Sequence, residues 1–174
     1  MATWTIDPAH SEIGFKVKHL VISTVSGKFN SFEGKLEGDV DNLTSAKVFF
    51  TADIDSIHTG NEQRDGHLKS ADFFDAAAHP KLSFESTSIE KKGDNYKVNG
   101  NLTLKGITKP VTLDVEFGGV QKSLYGQTVA GFEVTTKINR QEFGLTWSAV
   151  TEAGGIVVGD DVKLAANLEL IKQD

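Results

Sequence analysis

The stretch YKVNGNLTLKG, residues 96–106, decides the fold class of this sequence. Apolar and polar residues alternate along it: one face carries Tyr96, Val98, Leu102 and Leu104, and the other carries Lys97, Asn99, Asn101, Thr103 and Lys105. Successive side chains of a β-strand point to opposite faces of the sheet, so a period of two is typical of a strand with one buried face. The stretch is therefore predicted to be a half-buried strand.

The same alternation recurs along the chain, in EIGFKVKHL (12–20), VTLDVEF (111–117), FEVTTKI (132–138) and VKLAANLEL (162–170). Segments 28–38, 46–55 and 82–89 bring the total to about eight strands. Turn-forming clusters separate most of them, and no long helical pattern intervenes, which argues against parallel sheets with crossover helices. An antiparallel barrel or sandwich remains, and strands of about nine to eleven residues favour the barrel. We predict an all-β fold, an extended eight-stranded antiparallel β-barrel, with residues 1–174 in a single domain.

The composition limits the class of partner. A net charge of −6, from 18 Lys and Arg against 24 Asp and Glu, comes without a clustered basic run and argues against a nucleic-acid partner. The absence of Cys excludes disulfides and zinc-thiolate sites. No apolar run reaches the roughly 20 residues that span a bilayer, so no integral membrane segment is expected. The N-terminus MATWTIDPAH lacks a secretory signal, which favours a cytoplasmic location; a periplasmic location is the alternative if a signal has been removed.

Residues 56–80 are the one long departure from the alternation. A connection of about 25 residues is too long for a hairpin turn. Asn61 or Ser70 could cap a short helical turn, and Gly66 would limit its length. We predict a short helical lid segment around 61–75, lying over the mouth of the barrel.

The lid is expected to turn an apolar side toward the mouth, because Leu68, Ala71 and Phe74 fall at helical spacing. The predicted ligand contacts of the lid and mouth are Arg64, His67, Leu68, Phe73 and Phe74. The predicted ligand contacts of the lumen wall are Phe15, Val17, Phe50, Ile54, Phe84, Leu102, Leu104, Phe132 and Ile138. An ordinary packed core is the alternative, because a period of two does not distinguish a core from a pocket wall.

The polar residues of the lid have more than one interpretation. We expect Arg64 to pair with a nearby carboxylate and Asp65 to accept hydrogen bonds from backbone amides of its own turn. His67 could touch the head of a ligand or brace the lid. An enzyme that acts on a lipid through Arg64, Asp65 and His67 is the strongest rival to a binding protein.

Other catalytic or metal-binding patterns are weak. Four histidines could converge on a metal with Asp65 or Glu62, namely His10, His58, His67 and His79, but no HExxH or HxH spacing occurs. No GxSxG nucleophile elbow is present. Asp53 and Asp55 would point the same way from a strand, and the solvent face is the commoner place for such a pair. We expect no catalytic residue, no metal and no cofactor.

Six segments together resemble the YceI family: WTIDPAHSEIGFKVKHL (4–20), VSGKFNSFEG (25–34), RDGHLKSADFF (64–74), HPKLSFES (79–86), GNLTLKGITKPVTL (100–113) and INRQEFGL (138–145). They follow the family's order and cover essentially the whole chain. The resemblance implies a lipocalin-like barrel that binds a long-chain lipid of polyisoprenoid, isoprenoid quinone or fatty-acyl type, as carrier or sequestering protein. It carries no common catalytic motif. A homodimer, if one forms, would use the outer face or the mouth, because a closed barrel has no free sheet edge.

Overall fold

The computed structural model describes residues 2–20, 22–145 and 158–173. Its strands are β1 (Thr3–Ile6), β2 (Glu12–His19), β3 (Ser23–Phe29), β4 (Phe32–Glu37), β5 (Lys47–Asp53), β6 (Ile57–His58), β7 (Lys81–Lys92), β8 (Asn95–Leu104), β9 (Ile107–Lys122), β10 (Thr128–Asn139) and β11 (Val158–Lys172). Within these ranges the chain also forms one α-helix, α1 (Glu62–Lys69), and four 3-10 turns, at Pro8–His10, Val40–Ser45, Ile54–Ser56 and Arg140–Phe143. None of the helices among these described residues is long and apolar enough to cross a membrane.

The sheet closes through β1, which pairs with β4 on one side and with β11 on the other. The ring β1-β4-β5-β7-β8-β9-β10-β11 is therefore an eight-stranded barrel, and every pairing in it is antiparallel. The short strands β2, β3 and β6 continue the sheet beside β11. The wall thus contains three long strands that are each interrupted once: β1 continues as β2, β3 continues as β4, and β5 continues as β6. The predicted eight-stranded antiparallel barrel is confirmed.

Two of the interruptions lie side by side and are hydrogen-bonded to each other. Asp53 N–H donates to the carbonyl of Ser31 at 2.9 Å, and Asn30 N–H donates to the carbonyl of Ser56 at 3.1 Å. The Ser31 hydroxyl also donates to the Asp53 carboxylate at 2.7 Å. The backbone groups that leave the ladder here thus keep partners, which lets the wall bend without an unpaired buried amide.

The stretch that predicted the fold forms β8 between β7 and β9. Val98, Leu102 and Leu104 are buried on its inner face. Gly100 lies where a β-carbon would stand 2.5 Å from the Phe84 ring, so the absence of a side chain lets the ring lie against the backbone. The strand ends in a turn whose two residues, Lys105 and Gly106, both have positive φ, which matches the twist of a tight hairpin.

Candidate functional site

The interior of the barrel holds a cavity of about 420 Å³. This volume lies within the range of small-molecule sites, roughly 300–1,000 Å³. Its lining comes from every long strand of the wall and from the lid, and almost all of it is aliphatic or aromatic. The polar exceptions are Lys18, Lys35, Arg64, His67, Thr136 and Arg140, with the hydroxyl of Tyr96. Side chains therefore do not fill the lumen, and the wall is more than an ordinary packed core.

Eight of the nine predicted wall residues line this cavity: Phe15, Val17, Phe50, Phe84, Leu102, Leu104, Phe132 and Ile138. Ile54 is the exception, and its prediction as a wall contact was wrong. Strand β5 ends at Asp53, and Ile54 begins a 3-10 turn in which its N–H donates to the carbonyl of Pro80 at 2.9 Å. Ile54 is buried but is not among the residues that line the cavity, so it packs beside the wall.

The structure adds wall residues that strand alternation alone could have supplied. Ile13, Val98 and Val134 share the inward parity of residues predicted correctly on their own strands. Leu113, Leu164 and Leu168 lie on the apolar faces of β9 and β11, where no wall residue was predicted. Phe29 also lines the cavity, and its ring lies 5.9 Å from that of Phe15 and 6.4 Å from that of Phe74, measured between centroids. Phe29 therefore joins the wall to the lid through an edge-on aromatic contact.

The lid contains a helix shorter than the predicted segment. The side chain of Asn61 caps α1 by accepting a hydrogen bond from Arg64 N–H at 3.0 Å, as expected for an N-cap. Gly66 does not limit the helix, because it lies inside it; the helix continues to Lys69 and ends at Ser70. Ala71 follows the helix and is exposed, so its expected place on the apolar side was wrong.

Thr59 anchors the start of the helix to the barrel. The Asp65 carboxylate accepts from Thr59 N–H at 2.9 Å and from the Thr59 hydroxyl at 2.5 Å. The Arg64 guanidinium donates to the Thr59 hydroxyl and to its carbonyl, each at 2.8 Å. The expected carboxylate partner of Arg64 is thus replaced by Thr59. Asp65 does bind a backbone amide, although one that precedes the helix.

All five predicted lid and mouth residues border the cavity: Arg64, His67, Leu68, Phe73 and Phe74. His67 Nε2 lies 3.1 Å from the Asp72 carboxylate, and its ring stands edge-on to Phe73 with centroids 5.1 Å apart. These contacts show how His67 braces the lid. Asp65 is not among the lining residues, because its carboxylate is turned to Thr59. The three residues of the enzymatic alternative therefore do not share one face of the cavity.

Arg140 is a buried polar residue of the site that the sequence analysis did not single out. It is 2% exposed and donates to the carbonyls of Leu145 at 2.5 Å and Gly159 at 2.8 Å. Asp160 lies 3.6 Å away. Burial lowers the pKa of the Arg140 guanidinium, and Asp160 opposes that shift. A feature of the sequence could have identified this residue: Arg140 is the one cationic residue in the segment INRQEFGL (138–145).

A second polar cluster lies on the outer wall. His10 Nδ1 lies 2.7 Å from the Asp7 carboxylate, and the ligand atoms of Asp7, His10 and Glu169 are within 4.8 Å of one another. The hydrogen bond from His10 lowers the pKa of Asp7, and the bond to Asp7 raises the pKa of His10. His58 lies instead 3.9 Å from Asp65. Three of the four histidines considered as a metal site, His10, His58 and His67, therefore lie beside three different carboxylates.

A closed antiparallel barrel around an apolar cavity, with a helix and its flanking loop over one end, defines a lipocalin-like barrel. This chain belongs to the YceI family: the model of the YceI-like domain matches residues 4–170.

Relatives agree with this assignment. The UPF0312 protein of Staphylococcus aureus strain N315 is 43% identical over 170 residues, with 97% of each chain covered. The crystal structure of the Campylobacter jejuni YCEI protein is 34% identical and superposes with a TM-score of 0.76, covering 97% of this chain and 96% of that one. A polyisoprenoid binding domain from Saccharophagus degradans, implicated in plant cell wall breakdown, has a TM-score of 0.69 at 15% identity and 98% coverage of both chains.

Proposed function

We propose that this protein binds an isoprenoid or another long-chain amphiphilic lipid inside the barrel, as a carrier or sequestering protein and without chemical turnover. The observation that carries the proposal is the continuous apolar lining of the 420 Å³ cavity. Water in such a space finds few hydrogen-bonding partners, whereas an alkyl or prenyl chain loses its own unfavourable contact with water. The cavity is therefore suited to a long apolar chain.

The polar groups of the lining suggest which end of the ligand faces the lid. Arg64 and His67 belong to the lid, and Arg140 lies just beyond the end of β10, at the same end of the barrel. Toward the other end the cavity is lined by Leu43 of the 3-10 turn, and the polar groups there are Lys35 on β4 and the hydroxyl of Tyr96 on β8. The lid end therefore carries more of the polar lining groups than the other end. An amphiphile would place its head near the lid and its chain along the barrel.

The affinity need not depend on a specific head group. A ligand with about 30 buried heavy atoms, at roughly 0.3 kcal/mol per atom, would bind with about −9 kcal/mol, which is a submicromolar Kd. The description of the Saccharophagus degradans domain as polyisoprenoid-binding supports the same class of ligand. That domain shares the fold, and the apolar lining of this cavity favours the same class of ligand by its own chemistry.

The arrangement of the lid favours binding over catalysis. General acid–base work needs a titratable group aimed at the reacting atoms. Asp65 faces Thr59, and His67 is held between Asp72 and Phe73. Both are explained by the structure of the lid, which leaves the apolar surface as the functional feature.

Mass spectrometry of an organic extract of the purified, folded protein tests the proposal. We expect a long-chain apolar species in chemically intact form. Protein stripped of lipid should then bind a fluorescent prenyl or acyl probe with about one probe per barrel. Protein that is empty as purified and that also fails to bind either probe would overturn the proposal. If the unmodified protein converts the lipid chemically and His67→Ala does not, the enzymatic alternative would be established.

A further inference from the structure

The hairpin tip between β2 and β3 carries apolar side chains in water. Ile22 is 86% exposed and Leu20 is 37% exposed. Leu20 also has a φ of 54°, a left-handed conformation that Gly or Asn adopts more readily. Gly or Asn would adopt this turn at a lower conformational free energy, and the exposed side chains of Leu20 and Ile22 contribute little to packing within the barrel. The structure of the barrel therefore does not explain why the tip is apolar.

The tip lies at the lid end of the barrel. The next residue back, His19, pairs with Val158 at the start of β11, and Arg140 donates to the carbonyl of Val158 at 3.3 Å. On the lid side, Lys105 donates to the carbonyls of Gly144 at 3.3 Å and Ala71 at 3.1 Å. These contacts follow one rim from the tip to the lid, so the tip and the head-group end of the cavity share a face.

A row of lysines crosses the outer wall below this rim. Lys137 on β10 pairs with Lys163 on β11, which in turn pairs with Lys16 on β2. All three are exposed. Like charges directly opposite on neighbouring strands destabilise a sheet, so this row needs another explanation. Asp161 lies 3.9 Å from Lys137 and offsets one end of the row.

Farther from the rim the sign of the wall reverses. Glu133, Asn167 and Glu12 form the corresponding row on the same three strands. Four residues of strand, about 13 Å, separate the two rows. On this part of the wall the lysine row thus lies nearer the apolar tip than the two glutamates, while the exposed Asp160 and Asp161 of β11 lie between the lysine row and the rim and offset part of its charge. This polarity would orient the rim toward a negatively charged surface.

We propose that the lid end docks on an anionic lipid bilayer, with Leu20 and Ile22 entering the interface and the row Lys16–Lys163–Lys137 facing the lipid phosphates. Interfacial apolar groups enter roughly 5–10 Å, and the lysine row lies about 13 Å along the strand from Leu20, which places it near the headgroups. Docking would bring the head-group end of the cavity to the membrane. The proposal goes beyond lipid binding, because a barrel can hold a lipid without docking.

Single-cysteine labelling tests the contact directly, since the chain contains no Cys. Ile22→Cys and Tyr125→Cys are labelled with an environment-sensitive dye; Tyr125 is 89% exposed at the β9–β10 tip, on the opposite end of the barrel. With phosphatidylcholine vesicles that contain about one third phosphatidylglycerol, we expect a blue shift at position 22 and none at position 125. A shift at position 125 alone, or at neither position, would overturn the proposal.

Sedimentation of lipid-stripped protein with the same vesicles measures how much the lysine row contributes to membrane binding. Lys16→Gln with Lys163→Gln should weaken binding about fivefold per lysine, and salt should weaken it for the unmodified protein. Lys91→Gln with Lys92→Gln, at the far end of the barrel, is the matched control and should bind like the unmodified protein. Equal binding by both pairs would contradict the proposed orientation. Uptake of a detergent-solubilised prenyl probe should be unchanged in every variant, so a failure of docking is distinguishable from a failure of lipid binding.

Discussion

Replacement of Phe74 by Ala tests whether the apolar side of the lid carries ligand binding. Phe74 borders the cavity, is half-buried, and meets the ring of Phe29 edge-on at 6.4 Å. A fully buried Phe→Ala costs about 3–5 kcal/mol, so a half-buried ring with one aromatic partner should cost roughly 2–3 kcal/mol. We expect this cost to be divided between the free energy of unfolding and the affinity for a prenyl or acyl probe.

His67→Ala is the comparison within the same lid. It removes one partly exposed hydrogen bond, to Asp72, and should change affinity by about 1 kcal/mol. Urea unfolding of lipid-free protein gives the stability component, and probe titration gives the affinity component. Leu124→Ala, at a fully exposed position far from the lid, should change neither quantity. A larger loss of affinity in His67→Ala than in Phe74→Ala would refute the account of the lid.

Three further predictions concern the anchor, the wall and the outer cluster. Asp65→Ala should lower the free energy of unfolding by about 2 kcal/mol, because it leaves two donors of Thr59 unpaired. Urea unfolding should show a smaller loss in Thr59→Ser, which keeps the backbone amide and the hydroxyl that contact Asp65 and Arg64. Leu104→Asp should abolish probe binding and destabilise the fold by several kcal/mol, and unchanged values in titration and unfolding would mean that Leu104 does not face the lumen. The raised pKa of His10 stabilises the fold at low pH, and this stabilisation is lost as pH rises through the pKa of folded His10; the lowered pKa of Asp7 gives stabilisation that is lost as pH falls through the pKa of folded Asp7. The difference in free energy of unfolding between the unmodified protein and His10→Gln should therefore be greatest between the ordinary pKa values of Asp and His, about 3.8 and about 6.5.

The sequence predicted the barrel well because alternation is a local property of each strand. Val98, Leu102 and Leu104 face inward in β8 as their spacing requires. Ile54 was assigned wrongly because the same alternation was carried past the point where the strand ends. The break depends on hydrogen bonds from distant segments, Asp53 to Ser31 and Ile54 to Pro80, which no local pattern contains.

The lid shows the same limit. The N-cap at Asn61 was predictable, because capping depends on neighbouring residues. The partner of Arg64 was not, since Thr59 lies outside the helix and reaches the guanidinium only through the path of the loop. Arg140 was missed for a related reason: an exposed and a buried arginine look alike in a sequence, and its carbonyl partners, Leu145 and Gly159, are far apart along the chain.

Photo-crosslinking tests most directly the central claim, that a long-chain lipid occupies the lumen. A prenyl or acyl probe with a diazirine in its chain is bound to lipid-stripped protein, irradiated, and the modified residues are mapped by mass spectrometry. We predict adducts on inward residues of β8 and β10, such as Leu102 and Phe132, and none on outward neighbours such as Asn101 and Glu133. Adducts confined to outward residues, or spread equally over both faces of the strands, would contradict the account.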